Sequence, residues 1–195
     1  MAKESSFKNM VICLTAVCLL CSAVLAVVYV ITMEPIQKAQ IEKTNNAIAG
    51  VVPEFDNFPS EDKFEIEMDG KKYVIYPAKK GEEIVAYAIE SVSTKGFGGP
   101  IKLIVGFTLD GTIFNTAVLS HTETPGLGEK MVASKSDFSL QFKGKNPQTF
   151  KLAVKKDGGD IDAITASTIS SRAFADAVEL AYKAFCSLNA NPKNN

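Results

Sequence analysis

Two short stretches of the sequence carry the side chains best suited to hold a ligand. Residues 162–172 (DAITASTISSR) gather five hydroxyl groups where an amphipathic pattern begins. Hydroxyls at a helix start commonly cap the helix, but the unpaired N–H groups and the positive dipole end there also favour a bound anion. The pattern therefore leaves open N-capping, phosphate binding and covalent modification of one of the threonines. The hydroxyl residues are Thr165, Ser167, Thr168, Ser170 and Ser171.

The second stretch, residues 120–128 (SHTETPGLG), is a loop that follows a strand pattern. Pro125 stiffens this loop, and Gly126 and Gly128 allow its backbone to come close to a ligand. A plain connection from a strand to a short helix over 129–134 explains the same residues. His121 lies here without a nucleophile, base and orienting group around it, so we predict no catalytic residue.

The composition argues against several classes of function. The 195 residues include 21 Lys+Arg and 22 Asp+Glu, giving a net charge of -1 without basic clusters, which argues against nucleic-acid binding. One His and four scattered Cys predict no metal site built from the chain's own residues. Cys18 and Cys21 form a C-x-x-C within an apolar segment, where we interpret them as small apolar side chains, and Cys186 has no disulfide partner outside it. Any redox chemistry must therefore come from a cofactor.

Residues 10–31 (MVICLTAVCLLCSAVLAVVYVI) predict a transmembrane helix. The segment carries no charge, and about 20 apolar residues suffice to cross the hydrocarbon core. A cleaved signal peptide is the alternative, but its apolar region is usually shorter, about 7–15 residues. Lysines flank both sides of the segment, so the positive-inside rule gives little information on its orientation. Only the free amino terminus favours the cytoplasm, and we therefore place residues 1–9 there. A stalk helix is predicted over 32–52, ended by Gly50 and Pro53.

Two hairpin patterns precede the loop. FEIEM-DG-KKYVIY turns at Asp69–Gly70 and IKLIVGFTL-DG-TIFNTAVLSH turns at Asp110–Gly111, because an Asp-Gly pair supplies the positive φ angles of a tight turn. Residues 82–93 predict a strand between the hairpins, and residues 149–159 (TFKLAVKKDGG) predict a later strand. Together these strands predict an antiparallel sheet.

An amphipathic helix follows the sheet. Apolar residues recur there at steps of three and four, the spacing of a helix laid on a sheet. The fold class is therefore α+β: an N-terminal transmembrane helix and stalk, then an antiparallel sheet with a C-terminal amphipathic helix. We assign residues 53–188 to this domain and residues 189–195 to a flexible polar tail. The apolar positions are Ile169, Ala173, Phe174, Ala177, Val178, Ala181, Phe185 and Leu188.

The two ligand-like stretches together resemble a known family. HTETPGLG at 121–128, followed by DAITASTISS at 162–171, is similar to the FMN-binding domain shared by two proteins. These are the G subunit of the Rnf electron transport complex and the C subunit of the sodium-pumping NADH:quinone reductase. In that family an N-terminal anchor holds an extracytoplasmic α+β domain. A flavin transferase attaches FMN by a phosphoester bond to the threonine ending a D-x-x-[S/T]-G-A-T motif.

The resemblance implies roles for individual residues. Thr168 matches the threonine that carries FMN, and Asp162 and Thr165 match the motif positions by which the transferase recognises its substrate. Ala166 and Ser167 stand where the motif most often has Gly and Ala.

Further residues would contact the cofactor. Residues of the 120–128 loop would lie against the flavin, with Leu127 providing an apolar surface. Hydroxyl groups at the start of the helix would contact the phosphate. Lys156, or else Lys155, would balance the phosphate charge from a neighbouring strand, unless both are simply a solvated strand end. The implied cofactor-binding residues are Glu123, Thr124, Leu127, Gly128, Lys156, Thr165, Ser167 and Ser170.

The function implied by the resemblance is electron transfer rather than catalysis. The chain would be a membrane-anchored flavoprotein component of an Rnf-type ion-translocating ferredoxin:NAD oxidoreductase, with its domain on the extracytoplasmic side of the inner membrane. Its partners would be the other membrane subunits and, for maturation, the flavin transferase. Two alternatives stay open: the C subunit of the sodium-pumping NADH:quinone reductase, and a membrane-tethered sensor or binding module that holds FMN noncovalently.

Overall fold

A computed structural model describes residues 7–190 of the chain, with the side chains of the last two left out. The chain divides into two compact units, Met1–Glu42 and Lys43–Asn195. The first helix, α1 (Phe7–Val51), begins in the first unit and ends in the second. Most of the predicted cytoplasmic segment 1–9 and of the predicted tail 189–195 lies outside the described residues.

The described residues of the first unit all belong to α1 and include its long apolar segment. By length and composition, this helix alone among the described residues qualifies to cross a membrane, although an N-terminal signal sequence would meet the same criteria. The stalk predicted over 32–52 is a continuation of the same helix, which includes Pro35 and ends at Val51.

The second unit contains an antiparallel sheet of five strands in sequential order. Both predicted hairpins and the strand between them are confirmed. The strands are β1 (Phe64–Met68), β2 (Lys71–Lys80), β3 (Glu83–Ser93), β4 (Ile101–Thr108) and β5 (Ile113–Ser120).

The two Asp-Gly turns differ in geometry. Asp69 (φ 52°) and Gly70 (φ 70°) both adopt the left-handed conformation of the predicted tight turn. In the second hairpin only Gly111 does (φ 83°), and its N–H donates to the carbonyl of Thr108 at 2.9 Å. The Asp110 carboxylate accepts 2.5 Å hydrogen bonds from the hydroxyls of Thr108 and Thr112, which lower its pKa. Asp110 thus stabilises a wider loop through its side chain.

The C-terminal helix α2 (Thr168–Ala190) covers one face of the sheet, as predicted. Its buried apolar side chains pack on those of β3 and β4, and Phe107 and Phe185 stack with their ring centroids 5.3 Å apart. Ile169 is an exception to the predicted apolar stripe, since it is 48% exposed.

The end of α1 covers the opposite face of the sheet. Ile48 and Val51 are fully buried against apolar residues of the strands, including Ile104. At Gly106 on β4, a Cβ atom would lie only 1.6 Å from the carbonyl oxygen of Val51. The close approach of helix and strand therefore requires a glycine at this position.

The prediction of a strand over 149–159 is wrong. The chain there makes a single parallel bridge between Val154 and Ile161 and a 3-10 helix, Lys155–Asp157. Gly158 is left-handed (φ 76°), and a Cβ atom at Gly159 would lie 2.0 Å from the Ala153 carbonyl oxygen. The two glycines turn the chain back on itself, so it cannot continue as a strand.

Replacing Gly106 by alanine is expected to lower the free energy of unfolding of the sheet domain by about 1–3 kcal/mol, because the added methyl group forces α1 away from β4. Denaturation of the full chain in detergent measures this. Gly50→Ala is the control: Gly50 has no atom within 4 Å of its Cβ position, and alanine there is expected to raise helix stability by up to about 1 kcal/mol. Equal effects of the two substitutions would contradict the packing of α1 on β4.

Candidate functional site

Three connecting segments meet in a pocket of about 380 Å³. They are the loop between β3 and β4, the loop after β5, and the first turn of α2. The antiparallel order places all three at one end of the sheet, since β3 ends, β4 begins and β5 ends there. The lining residues are Phe97, Glu123, Thr124, Leu127, Gly128, Ala166, Ser167, Thr168, Ile169 and Ser170.

A buried carboxylate joins the three segments. Glu123 is only 5% exposed. One of its oxygens accepts a hydrogen bond from the Gly98 N–H at 3.0 Å, and the other accepts one from the Ser170 hydroxyl at 2.5 Å. Hydrogen bonds to an ionised acceptor are stronger than neutral ones, so this carboxylate fixes both neighbouring segments.

Gly128 lies against the same carboxylate. A Cβ atom at this position would lie 2.6 Å from the Ser170 hydroxyl oxygen and 2.7 Å from a Glu123 carboxylate oxygen. The family resemblance predicts that this glycine makes room for a flavin ring. The atoms that it approaches most closely belong to the protein itself, so glycine is needed here already for folding.

The loop after β5 is held by further hydrogen bonds. The Thr122 hydroxyl donates to the Gly98 carbonyl at 2.8 Å, and the Glu123 N–H donates to Nδ1 of His121 at 3.2 Å. His121 therefore shapes the loop as a hydrogen-bond acceptor. The Gly126 N–H donates to Glu129 at 3.2 Å, and this bond, with a weaker contribution from Lys135, lowers the pKa of the Glu129 carboxyl.

The loop between β3 and β4 is tied to α2 by Asp176. The Asp176 carboxylate accepts hydrogen bonds from the Ser93 hydroxyl at 2.7 Å and from the Lys95 ammonium at 2.5 Å. Burial raises the pKa of Asp176, but the bonds from Lys95 and Ser93 outweigh it, and the pKa lies below its ordinary value. This carboxylate therefore fixes the base of the loop that carries Phe97 and Gly98.

The start of α2 is shaped by a turn and a hydroxyl network. Ser171 donates to the Ser167 carbonyl through both its N–H (3.0 Å) and its hydroxyl (2.9 Å), and its hydroxyl also accepts from the Ile164 N–H at 2.9 Å. Because the Ser171 N–H makes the first helical backbone bond, the N–H groups of residues 168–170 lack helical partners. Ala166 is left-handed (φ 61°), a conformation that costs an L-residue about 1–2 kcal/mol.

The hydroxyl of Thr168 differs from its neighbours. Those of Ser170 and Ser171 are buried and bonded, whereas Thr168 is half-buried, lines the pocket, and has no hydrogen-bond partner among the described residues. It is therefore available for contact with, or attachment to, a ligand in the pocket.

Not all predicted site residues come together. Seven line the pocket, but Thr165 lines a second pocket of about 370 Å³ together with Asp162. Lys155 pairs with Asp162 at 2.7 Å, and Lys156 lines neither pocket. The strand that would bring Lys156 to the phosphate does not form. The seven are Glu123, Thr124, Leu127, Gly128, Ser167, Thr168 and Ser170.

Three lining residues are absent from the sequence-based prediction. Phe97 is 70% exposed and lies in the segment GFGG, where flanking glycines are the one visible signal of a special loop. The apolar spacing places Ile169 in the buried stripe of α2, and Ala166 stands out in the sequence only as a departure from a motif. Together with Leu127, which is 41% exposed, Phe97 and Ile169 give the pocket an apolar rim.

The arrangement fits FMN in both of its parts. The unpaired N–H groups at the start of α2 suit a phosphate, and the apolar rim suits a planar ring system. No group of three or more His, Cys, Asp and Glu side chains able to hold a metal occurs in residues 7–190. The pocket can hold a phosphorylated aromatic cofactor and offers a hydroxyl for its attachment.

Comparisons with known proteins agree with this geometry. The FMN-binding domain family matches residues 96–183, which include the whole pocket. The G subunit of the ion-translocating oxidoreductase complex of Vibrio atlanticus is 38% identical over 169 residues, covering 82% of this chain and 81% of the relative. The protein of the same name from Shewanella loihica is 38% identical, covering 84% and 83%. The G subunit of the proton-translocating ferredoxin:NAD(+) oxidoreductase complex of Clostridium ljungdahlii is 36% identical, covering 85% and 84%.

These identities over most of both chains confirm the predicted resemblance, and the matched FMN-binding domain includes the residues that line the pocket. The chain belongs to the family of G subunits of the Rnf-type ion-translocating oxidoreductase complexes.

Proposed function

We propose that this chain is a membrane-anchored electron carrier with FMN attached through a phosphoester bond to Thr168. It serves as one component of an Rnf-type ion-translocating ferredoxin:NAD oxidoreductase. The observation that carries the proposal is the Thr168 hydroxyl, which lines the pocket at the start of α2 without a hydrogen-bond partner among the described residues.

The start of α2 supports the phosphate end of the cofactor. The N–H groups of Ile169 and Ser170 precede the first helical hydrogen bond, and the helix dipole adds positive potential there. A phosphate joined to Thr168 would therefore lie beside donors that the fold leaves free. Ser167 is buried and holds the turn before Thr168 through its carbonyl bonds to Ser171.

The pocket rim supports the ring end. Phe97, Leu127 and Ile169 offer apolar surface that is exposed in this chain and would shield one side of an isoalloxazine ring from water. When bound, the flavin supplies one- and two-electron redox chemistry. The contribution of the chain is to bind, orient and partly desolvate it.

The remaining parts of the proposal concern location and partners. The apolar residues 10–31 of α1 would anchor the chain in the inner membrane, with residues 53–188 on its extracytoplasmic side. The other membrane subunits of the complex would exchange electrons with the flavin, and a flavin transferase would recognise Asp162, Thr165 and Thr168 during maturation. The long apolar helix supports the anchor, and the names of the relatives support a place in a complex with other subunits.

Protease added to intact spheroplasts is expected to remove the domain of residues 53–188, because an extracytoplasmic domain is accessible from that side. Inverted membrane vesicles are the control and should protect the domain. The reverse pattern would contradict the orientation, and isolation of a mature chain that begins after Ile31 would contradict the anchor.

Thr168→Val is expected to abolish covalent flavin, since valine keeps the side-chain shape but removes the attacking oxygen. Co-expression with a flavin transferase, followed by in-gel fluorescence after denaturation, measures this. The fold should lose at most about 1 kcal/mol. Thr165→Val is the matched comparison and should keep at least part of the attached flavin, because Thr165 lines the second pocket and would only assist recognition by the transferase. Covalent flavin on Thr168→Val would refute the assignment.

Glu123→Ala is expected to destabilise the domain by about 2–4 kcal/mol and to disorder the flavin environment, because it leaves the Gly98 N–H and the Ser170 hydroxyl without their acceptor. Denaturation and the visible circular dichroism of the flavin measure the two effects. Glu129→Ala removes a more exposed carboxylate from the same region, and should cost clearly less stability than Glu123→Ala. Equal losses for both variants would show that Glu123 has no special role.

A further inference from the structure

The charge of the proposed cofactor needs a partner that the flavin pocket does not supply. A phosphate esterified to both Thr168 and the ribityl chain keeps one negative charge. The described residues that line the pocket include the Glu123 carboxylate and no lysine or arginine. The start of α2 offsets part of this charge, and a cation close to it would offset the rest.

Most basic side chains near this end of the domain already have acidic partners. Lys95 pairs with Asp176 at 2.5 Å, and Lys135 with Glu129 at 3.2 Å. Lys155 pairs with Asp162 at 2.7 Å.

Arg172, one turn into α2, makes two hydrogen bonds to Asp157 at 2.6 and 2.7 Å. These bonds raise the pKa of the arginine and lower that of the aspartate. Arg172 is therefore poorly suited to bind a further anion, because doing so would break its ion pair with Asp157.

Lys130 differs from these residues. It has no acidic partner within 4 Å among the described residues, and it lines the second pocket together with Thr165. Its backbone is fixed on both sides, because its N–H donates to the Leu127 carbonyl at 3.1 Å and its carbonyl accepts from the Ser136 hydroxyl at 2.5 Å. Its position therefore does not depend on a mobile loop.

The two pockets adjoin each other at two segments of the chain, each of which contributes residues to both. In the segment before α2, Thr165 lines the second pocket and Ala166 lines the first. In the 3-10 helix Gly128–Met131, Gly128 lines the first pocket and Lys130 the second. Lys130 thus lies two residues along the same 3-10 helix from Gly128, which lines the pocket that contains Thr168.

We propose that Lys130 is the cation that binds the phosphate of FMN, in the place that the family resemblance gives to Lys156. This inference rests on the proposed function. Two carboxylates share the second pocket, but Asp162 is paired with Lys155, and Asp137 makes no ion pair with Lys130 within 4 Å. An ammonium in this position contributes through charge and hydrogen bonding to phosphate oxygens, and its contribution weakens with added salt.

The test compares FMN with riboflavin, which lacks the phosphate. Full-length protein produced without a flavin transferase is titrated in detergent with each flavin, as wild type, Lys130→Gln, Lys130→Arg and Lys156→Gln. Lys130→Gln is expected to weaken FMN binding about three- to tenfold and to leave riboflavin binding unchanged. Lys130→Arg should restore FMN binding. Lys156→Gln is the matched control and should change neither affinity.

The inference is overturned if Lys130→Gln binds FMN as wild type does, if it weakens both flavins equally, or if Lys156→Gln has the same effect. A second readout uses the covalently flavinylated proteins. The ³¹P resonance of the phosphodiester should move in Lys130→Gln and stay fixed in Lys156→Gln, and an unmoved resonance in both would also overturn the inference. A wild type that never acquires flavin would instead refute the proposed function itself.

Discussion

The buried carboxylate of Glu123 is the interaction on which the site depends. An ionised carboxylate loses strong hydration when it is buried, so it is stable only with donors around it. Gly98 and Ser170 supply those donors from two different segments, which fixes the β3–β4 loop and the first turn of α2 against the loop after β5. Gly128 allows the close approach. The hydrogen bonds that this buried carboxylate requires therefore bring together the three segments that line the pocket.

The sheet makes this convergence possible. Because consecutive strands are antiparallel, β3 and β5 finish at the same end of the sheet, and α2 begins beside them. Asp176 ties α2 back to Ser93 at the base of the β3–β4 loop. On the opposite face, Val51 packs against Gly106, so the last turn of α1 belongs to the same compact unit as the pocket.

Local patterns predicted the parts of the fold that local physics controls. The Asp69–Gly70 turn and the amphipathic α2 follow from turn geometry and helical spacing. The prediction of a strand over 149–159 was wrong because Gly158 and Gly159 reverse the chain. Without that strand, Lys156 does not line the pocket. Ile169 has the spacing of a core residue, yet it is 48% exposed and lines the pocket. Ala166 is left-handed, which explains why the related motif most often has glycine there.

In the proposed function, a hydroxyl at the start of α2 carries the cofactor. The most direct test of this attachment is fragmentation mass spectrometry of the tryptic peptide of residues 157–172, from protein purified out of its own membranes. The peptide contains Thr165, Ser167, Thr168, Ser170 and Ser171, so one spectrum discriminates among all five hydroxyls. We expect the mass of FMN less water on Thr168. An unmodified peptide, or FMN on another residue, would contradict this assignment.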